Sequence, residues 1–115
     1  MKPMIALIVM VLVSMMAVNA MADASAEVAA GKAVYSQTCV ACHGADGKGA
    51  IPGVADLTKA DGALARSDDE LIRNITDGFQ SPGAVLAMPA KGGNPALTEA
   101  DIKSVLSYLC ATFGV

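Results

Sequence analysis

The feature that most constrains this chain is a pair of cysteines followed directly by a histidine. Cys39 and Cys42 are three positions apart, and His43, the only histidine in the sequence, comes next. A turn of this length places two sulfurs at neighbouring edges of a porphyrin and directs the following imidazole at its iron. The motif therefore predicts one covalent haem c, attached through Cys39 and Cys42, with His43 as the proximal iron ligand.

Three other uses of the motif compete with haem attachment. A redox dithiol would need a preceding strand and a βαβ pattern, which the sequence does not contain. A zinc site would need a second pair of ligands, and only Cys110 remains. A structural disulfide is possible in an exported protein, but the adjacent histidine would then be a coincidence.

The first 22 residues have the pattern of an export signal. Lys2 gives a positive start, an apolar stretch follows, and Ala20-Met21-Ala22 matches the small-x-small cleavage pattern. We therefore expect a signal peptide over 1–22 and a monohaem domain over 23–115, located in the periplasm. The alternative is an uncleaved N-terminal anchor, since the stretch is close to the length of about 20 apolar residues that spans a bilayer.

The expected mature chain is small and acidic. Cleavage would leave 93 residues with seven basic and eleven acidic side chains, a net charge of −4. This charge argues against nucleic acid or an anionic membrane surface as a partner. Because a domain of this size with few aromatic residues is marginal on its own core, we expect the haem to form part of that core.

The pattern of helix signals predicts an all-α chain. Good helix formers occupy 26–38, a glycine- and proline-rich loop follows over 44–56, and no alternating run is long enough for a strand. Ser67 with Glu70 reads as a capping box that opens a helix ending near Gly78. Thr98 opens the last helix, whose predicted buried face consists of Ile102, Val105, Leu106 and Leu109.

Met88 is the candidate for the second axial ligand. Six of the seven methionines fall in the predicted leader, which leaves Met88 alone in the mature chain. Methionine paired with histidine is the ligand set of cytochrome-type electron carriers. Pro89 favours an extended backbone at Met88, and the position lies in a loop, where a core-filling methionine is less expected.

These features together resemble the class I c-type cytochromes, and in particular the small bacterial cytochrome c5 group. The likeness runs through nearly all of the expected mature chain. It is carried by Gly31 and Tyr35 ahead of Cys39, by Cys39, Cys42 and His43, by Met88-Pro89 with Lys91-Gly92-Gly93-Asn94, and by Val105-Leu106-Ser107-Tyr108-Leu109. The resemblance implies the cytochrome c fold, about four helices wrapped around one covalent haem with one haem edge exposed. Its last helix would cross the first near Gly31, where glycine mid-helix already suggests a close backbone.

Two features depart from that family. Its members often place a proline before the residue pair whose backbone carbonyl accepts the proximal histidine N–H, whereas this chain has Ala55-Asp56-Leu57, with Pro52 three residues earlier. Either stretch could supply the carbonyl. Several c5 proteins also contain an extra pair of cysteines, whereas Cys110 is alone here. We expect it to be a buried, inert thiol, with intermolecular pairing as the alternative.

The resulting hypothesis is a periplasmic electron carrier of a respiratory chain that is not an enzyme. Its partners would be proteins such as a cytochrome oxidase or reductase, met through a weak interface around Ala50, Ile51, Ala87 and Ala90. One alternative is a haem subunit of a larger membrane-associated oxidoreductase. Another is an open-site haem enzyme or gas sensor, which the absence of a second histidine disfavours. The candidates for haem propionate partners are Arg66, Arg73, Lys48 and Lys91.

Overall fold

The computed structural model describes residues 2–114, which form four α-helices and no β-strand. Met1 and Val115, the outer ends of the predicted leader and haem domain, lie outside the described residues. A π-helical turn, Tyr35–Cys39, joins the first two α-helices, and two short 3₁₀ turns cover Ala63–Ala65 and Ala90–Gly93. The four helices are α1 (Lys2–Val34), α2 (Val40–His43), α3 (Asp68–Asp77) and α4 (Glu99–Phe113). The predicted all-α fold class is confirmed.

Helix α1 begins much earlier than the sequence predicted. Instead of starting at residue 26, it runs without interruption from Lys2 past the expected cleavage position after Ala22. The part of α1 before Asp23 exposes apolar side chains, among them Met4, Ile8 and Met21. Among the residues that the structure describes in full, which leave out much of the apolar stretch before residue 21, no helix qualifies as a membrane span.

The crossing of α1 and α4 depends on Gly31. A Cβ at this position would overlap the backbone carbonyl of Ser104 and lie 2.8 Å from Cβ of Tyr108. The two backbones can meet this closely only because glycine has no side chain. The predicted close approach at Gly31 is therefore correct.

Three aromatic rings fill the junction between α1, α4 and the loop that follows α2. Tyr35 is 2% exposed, and its ring centroid lies 5.3 Å from that of Tyr108 and 5.6 Å from that of Phe113. Its hydroxyl donates a hydrogen bond to the Gly44 carbonyl. Around these rings, Leu57, Val105 and Leu109 complete the buried cluster. The first helix, the haem-motif turn and the last helix are therefore held by one core.

Replacing Tyr35 with phenylalanine should reduce stability in a pH-dependent way. At neutral pH the change removes the hydrogen bond to Gly44, a loss of about 1 kcal/mol. Burial, with Cys39, Tyr108 and Asp46 nearby, raises the pKa of Tyr35 from 10.0 to about 12. The folded state thus favours the neutral phenol, so its contribution is complete below pH 10 and is lost as the pH rises towards 12.

Urea unfolding of the haem-loaded protein at pH 8 and pH 11 measures this effect. The stability difference between the wild type and Tyr35→Phe should shrink at the higher pH. Tyr108→Phe is the matched control, since the Tyr108 hydroxyl makes no hydrogen bond among the residues the structure describes. An identical pH response in both variants would contradict the attribution of this pH dependence to the Tyr35 hydroxyl.

The helix termini follow the predicted capping pattern with one difference. Ser67 caps α3 by accepting a hydrogen bond from the Glu70 N–H at 3.3 Å, and the helix ends at Gly78 with a positive φ of 85°. The reciprocal bond, from the Ser67 N–H to the Glu70 carboxylate, is not made, and that carboxylate lies 3.8 Å from Arg66 Nε instead. At α4 both bonds of a capping box are present, between Thr98 and Asp101.

Candidate haem site

Cys39, Cys42 and His43 lie at the end of the π-helical turn and along α2. Cys39 is half-buried against the core cluster, whereas Cys42 is exposed, and both are free thiols in this structure. Burial, with a smaller effect of Cys42, raises the pKa of the free Cys39 thiol to about 11. A π-helical turn is uncommon and tends to occur at functional sites. Here it leads directly into the attachment motif.

The imidazole of His43 contains a buried polar atom without a partner. Nδ1 is fully buried and makes no hydrogen bond to any group that the structure describes. Burial lowers the pKa of His43, and the backbone of Ala55 partly opposes that shift. Of the two stretches that the sequence left open, the one beginning at Ala55 has its backbone near this ring, although no hydrogen bond joins them. An imidazole oriented through Nδ1 presents Nε2 for a metal.

The glycine-rich loop folds back onto the end of α2. The N–H groups of Gly49 and Ala50 donate to the carbonyls of His43 and Cys42, each at 2.8 Å. Gly47 has a positive φ of 73° and lies against the ring of Phe113, where a Cβ would come 2.9 Å from that ring. The loop therefore holds the backbone of the motif in place instead of forming an open anion-binding cradle.

Met88 is paired with Phe79 across the segment that connects α3 to the last 3₁₀ turn. Two backbone hydrogen bonds join them, from Phe79 N–H to Met88 C=O at 3.0 Å and from Met88 N–H to Phe79 C=O at 2.8 Å. Gly78 packs directly behind this pair, since a Cβ there would lie 2.9 Å from the Met88 carbonyl oxygen. The extended backbone predicted from Pro89 is therefore present at Met88.

The loop that follows Met88 is attached to the π-helical turn. Asn94 Nδ2 lies 3.4 Å from the hydroxyl oxygen of Thr38, and a Cβ at Gly92 would come 2.8 Å from the Thr38 methyl group. Lys91 is left-handed at φ 55°, and it is the non-glycine residue with positive φ in the described part of the chain. These contacts bring the Met88 segment to the turn that carries Cys39.

The four predicted site residues fit a covalently bound haem. Three of them are nearly consecutive, and the fourth lies on a loop attached to the same turn. The burial of His43 Nδ1 leaves Nε2 as the ring nitrogen available to iron, and both cysteines are free thiols. Within residues 2–114, no three His, Cys, Asp or Glu side chains are grouped as they would be to hold a metal ion directly.

Comparisons with known proteins agree with this arrangement. Residues 26–109 match the family described as cytochrome c oxidase, cbb3-type, subunit III. A cytochrome c-555 of Chlorobaculum thiosulfatiphilum is 36% identical over 83 residues, which is 72% of this chain and 93% of that protein. The chain belongs to the class I c-type cytochromes. It therefore carries covalent haem c with iron, and its function is electron transfer.

Two further relatives of this cytochrome show the range of the similarity. The cytochrome c-555 of Chlorobaculum tepidum is 35% identical over 83 residues, 72% of this chain and 74% of the relative. The cbb3-type cytochrome c oxidase subunit CcoP of Rhodobacter capsulatus is 37% identical over 89 residues, 73% of this chain but only 29% of that subunit. The same domain thus matches whole small cytochromes and part of an oxidase subunit.

The structure distinguishes Arg66 from the other three candidate propionate partners. Arg66 is engaged with Glu70 and lies over the ring of Phe79, with 4.5 Å from Cζ to the ring centroid. Arg73, Lys48 and Lys91 make no ion pair among the described residues. The contact of Arg66 with Phe79, and the role of Thr38, could not be found from the sequence, because each joins residues that are far apart in the chain.

The expectation for Cys110 was wrong. It is exposed, at one side of α4, near Asp68 and beside a cavity of about 260 Å³ lined by Lys59, Leu64 and Gly114 among others. Position 110 lies at the edge of the buried face of α4, one turn after Leu106. That face consists of Ile102, Val105, Leu106, Leu109 and Phe113. A small error in the assumed width of the apolar face was enough to misplace it.

Proposed function

We propose that this cytochrome is a periplasmic monohaem electron carrier of a respiratory chain. Cys39 and Cys42 form the two thioether links, and His43 and Met88 are the axial ligands of the iron. Residues 1–22 act as an export signal, so that the domain of residues 23–115 receives its haem outside the cytoplasm. When bound, the haem supplies a one-electron couple between Fe(III) and Fe(II).

The pairing of Met88 with Phe79 carries this proposal. A methionine that served only to fill a gap would need no fixed backbone, whereas a ligand must keep one position in both oxidation states. Two backbone hydrogen bonds and the tight packing of Gly78 hold Met88, and the Thr38–Asn94 contact holds the end of its loop. With His43 and Met88 both bound to iron, no coordination position is open to a substrate, and the protein is not an enzyme.

A candidate docking surface lies where two loops meet. Ala50, Ile51, Ala87 and Ala90 are all exposed, as the sequence suggested. Leu86 adds to them, since it is 45% exposed and a Cβ at Gly53 would come 4.0 Å from its Cβ. An exposed apolar patch of this kind marks an interaction site. A cytochrome oxidase or reductase would meet it through a small, short-lived interface.

Replacing Met88 with alanine tests the ligand assignment. The oxidised wild type should show the weak red charge-transfer band of iron–methionine ligation, and Met88→Ala should lose it. The variant should also have a lower reduction potential, because the ligand that raises it is gone. The measurement is an optical spectrum and a redox titration of protein matured with the haem-attachment machinery.

Leu86→Ala is the matched control, since it truncates an exposed side chain in the same loop. It should keep both the band and the potential. A high-spin spectrum in the wild type, or carbon monoxide binding as tight as in Met88→Ala, would contradict the proposal. Either result would favour an open-site haem enzyme or sensor.

The similarity to an oxidase subunit favours a second candidate function. As a haem subunit of a membrane-associated oxidoreductase, the chain would keep residues 1–22 as an anchor. The unbroken α1 would then connect that anchor directly to Gly31 at the helix crossing. Fractionation of cells and the N-terminal residue of the mature protein decide between the two. A soluble protein beginning at Asp23 supports the free carrier.

A further inference from the structure

The position of Met88 depends on a residue nine positions earlier. In the described chain, the backbone N–H and C=O of Met88 both bond to Phe79. Phe79 directly follows Gly78, where α3 ends, so its backbone direction is set by that helix. Any group that fixes the ring of Phe79 therefore also restrains Met88.

Arg66 is such a group. Its guanidinium carbon lies 4.5 Å from the centroid of the Phe79 ring, within the range of a cation–π interaction. The side chain is held from elsewhere, since Nε lies 3.8 Å from Glu70 Oε1 and the backbone N–H donates to the Ala63 carbonyl at 3.3 Å. Arg66 thus lies just before α3, and its side chain contacts Phe79, which lies just after the end of that helix.

We infer that Arg66 is a positioning residue that holds Met88 in place through Phe79. It thereby determines how easily an external ligand displaces Met88 from the haem iron. This inference rests on the proposed assignment of Met88 as a ligand. It also gives Arg66 a role different from that of a propionate partner, because its guanidinium already has an aromatic ring and a carboxylate as neighbours.

The test is a titration of the oxidised, haem-loaded protein with imidazole, in which the loss of the red iron–methionine band is measured. Imidazole competes with Met88 for iron, so a less restrained Met88 gives a tighter apparent affinity. Arg66→Leu should raise that affinity about fivefold, which is the change expected when one partly exposed cation–π contact is lost. Arg66→Lys keeps a charge over the ring and should give a smaller increase.

Two further variants show whether the effect passes through Phe79. In a Phe79→Leu background, which keeps the backbone pairing, Arg66→Leu should cause no additional increase. Lys32→Leu makes the same change of net charge on the exposed side of α1 and should leave the affinity unchanged. These results together would support a positioning role.

Other results would overturn the inference. An unchanged affinity in Arg66→Leu, an equal increase in Lys32→Leu, or a full increase of Arg66→Leu in the Phe79→Leu background each excludes the route through Phe79. If Arg66→Leu does not mature, Arg66→Lys and Phe79→Leu are compared in the same way. Failure of the proposed function is seen separately, because the wild type would then lack the red band before any variant is measured.

Discussion

Gly31→Ala should destabilise the haem-loaded cytochrome by roughly 3 kcal/mol or more, in spite of the better helix propensity of alanine. The added Cβ would overlap the Ser104 carbonyl and press on Tyr108. Since the nearest obstacle is backbone, no change of rotamer can relieve it, and α1 must separate from α4. This loss is a large part of the 5–15 kcal/mol that stabilises a typical domain. Denaturant unfolding monitored by circular dichroism measures it.

Ala33→Leu is the control for this prediction. It adds more atoms to the same helix, but on a side that is exposed, and should change stability by no more than about 0.5 kcal/mol. If Gly31→Ala were as stable as the wild type, the two helices would not meet at this point. Tyr108→Ala should fail to rescue Gly31→Ala, because the Ser104 carbonyl remains in place.

The sequence predicted the helical framework well because its signals are local. Ser67, Gly78 and Thr98 each act within one turn of their own helix. The apolar spacing of α4 likewise needs no knowledge of the partner surface, and Ile102 and Val105 are indeed buried. The full extent of α1 was not predicted, because the cleavage pattern at Ala20-Met21-Ala22 was used to divide the chain there. No helix-breaking residue separates the apolar leader from the first helix.

The candidate site was predictable to a smaller extent. Cys39, Cys42 and His43 form one short motif, and Met88 stands alone once the leader is set aside. What holds them could not be predicted in the same way. The Phe79–Met88 pairing, the Arg66–Phe79 contact and the Thr38–Asn94 contact arise only when distant segments pack together. Such contacts leave no periodic pattern in the chain.

Haem-free protein should show no cooperative thermal unfolding transition. Among the side chains that the structure describes, only nine apolar ones are buried, and just Ile102 and Val105 are less than 2% exposed among the large ones. A core of this size barely offsets the conformational entropy of the chain. The covalently attached, apolar haem must supply the remaining stability.

Thermal melts of the full chain made with and without the haem-attachment machinery measure this dependence. Far-ultraviolet circular dichroism should fall gradually in the haem-free protein and sharply in the haem-loaded one. A Cys39→Ser, Cys42→Ser double variant made with the machinery should behave like the haem-free wild type, because it cannot form either thioether link. A sharp transition in haem-free protein near that of the haem-loaded form would contradict the prediction. The cluster around Tyr35 and Phe113 would then be sufficient to fold the domain, and the haem would be added to a site that already exists.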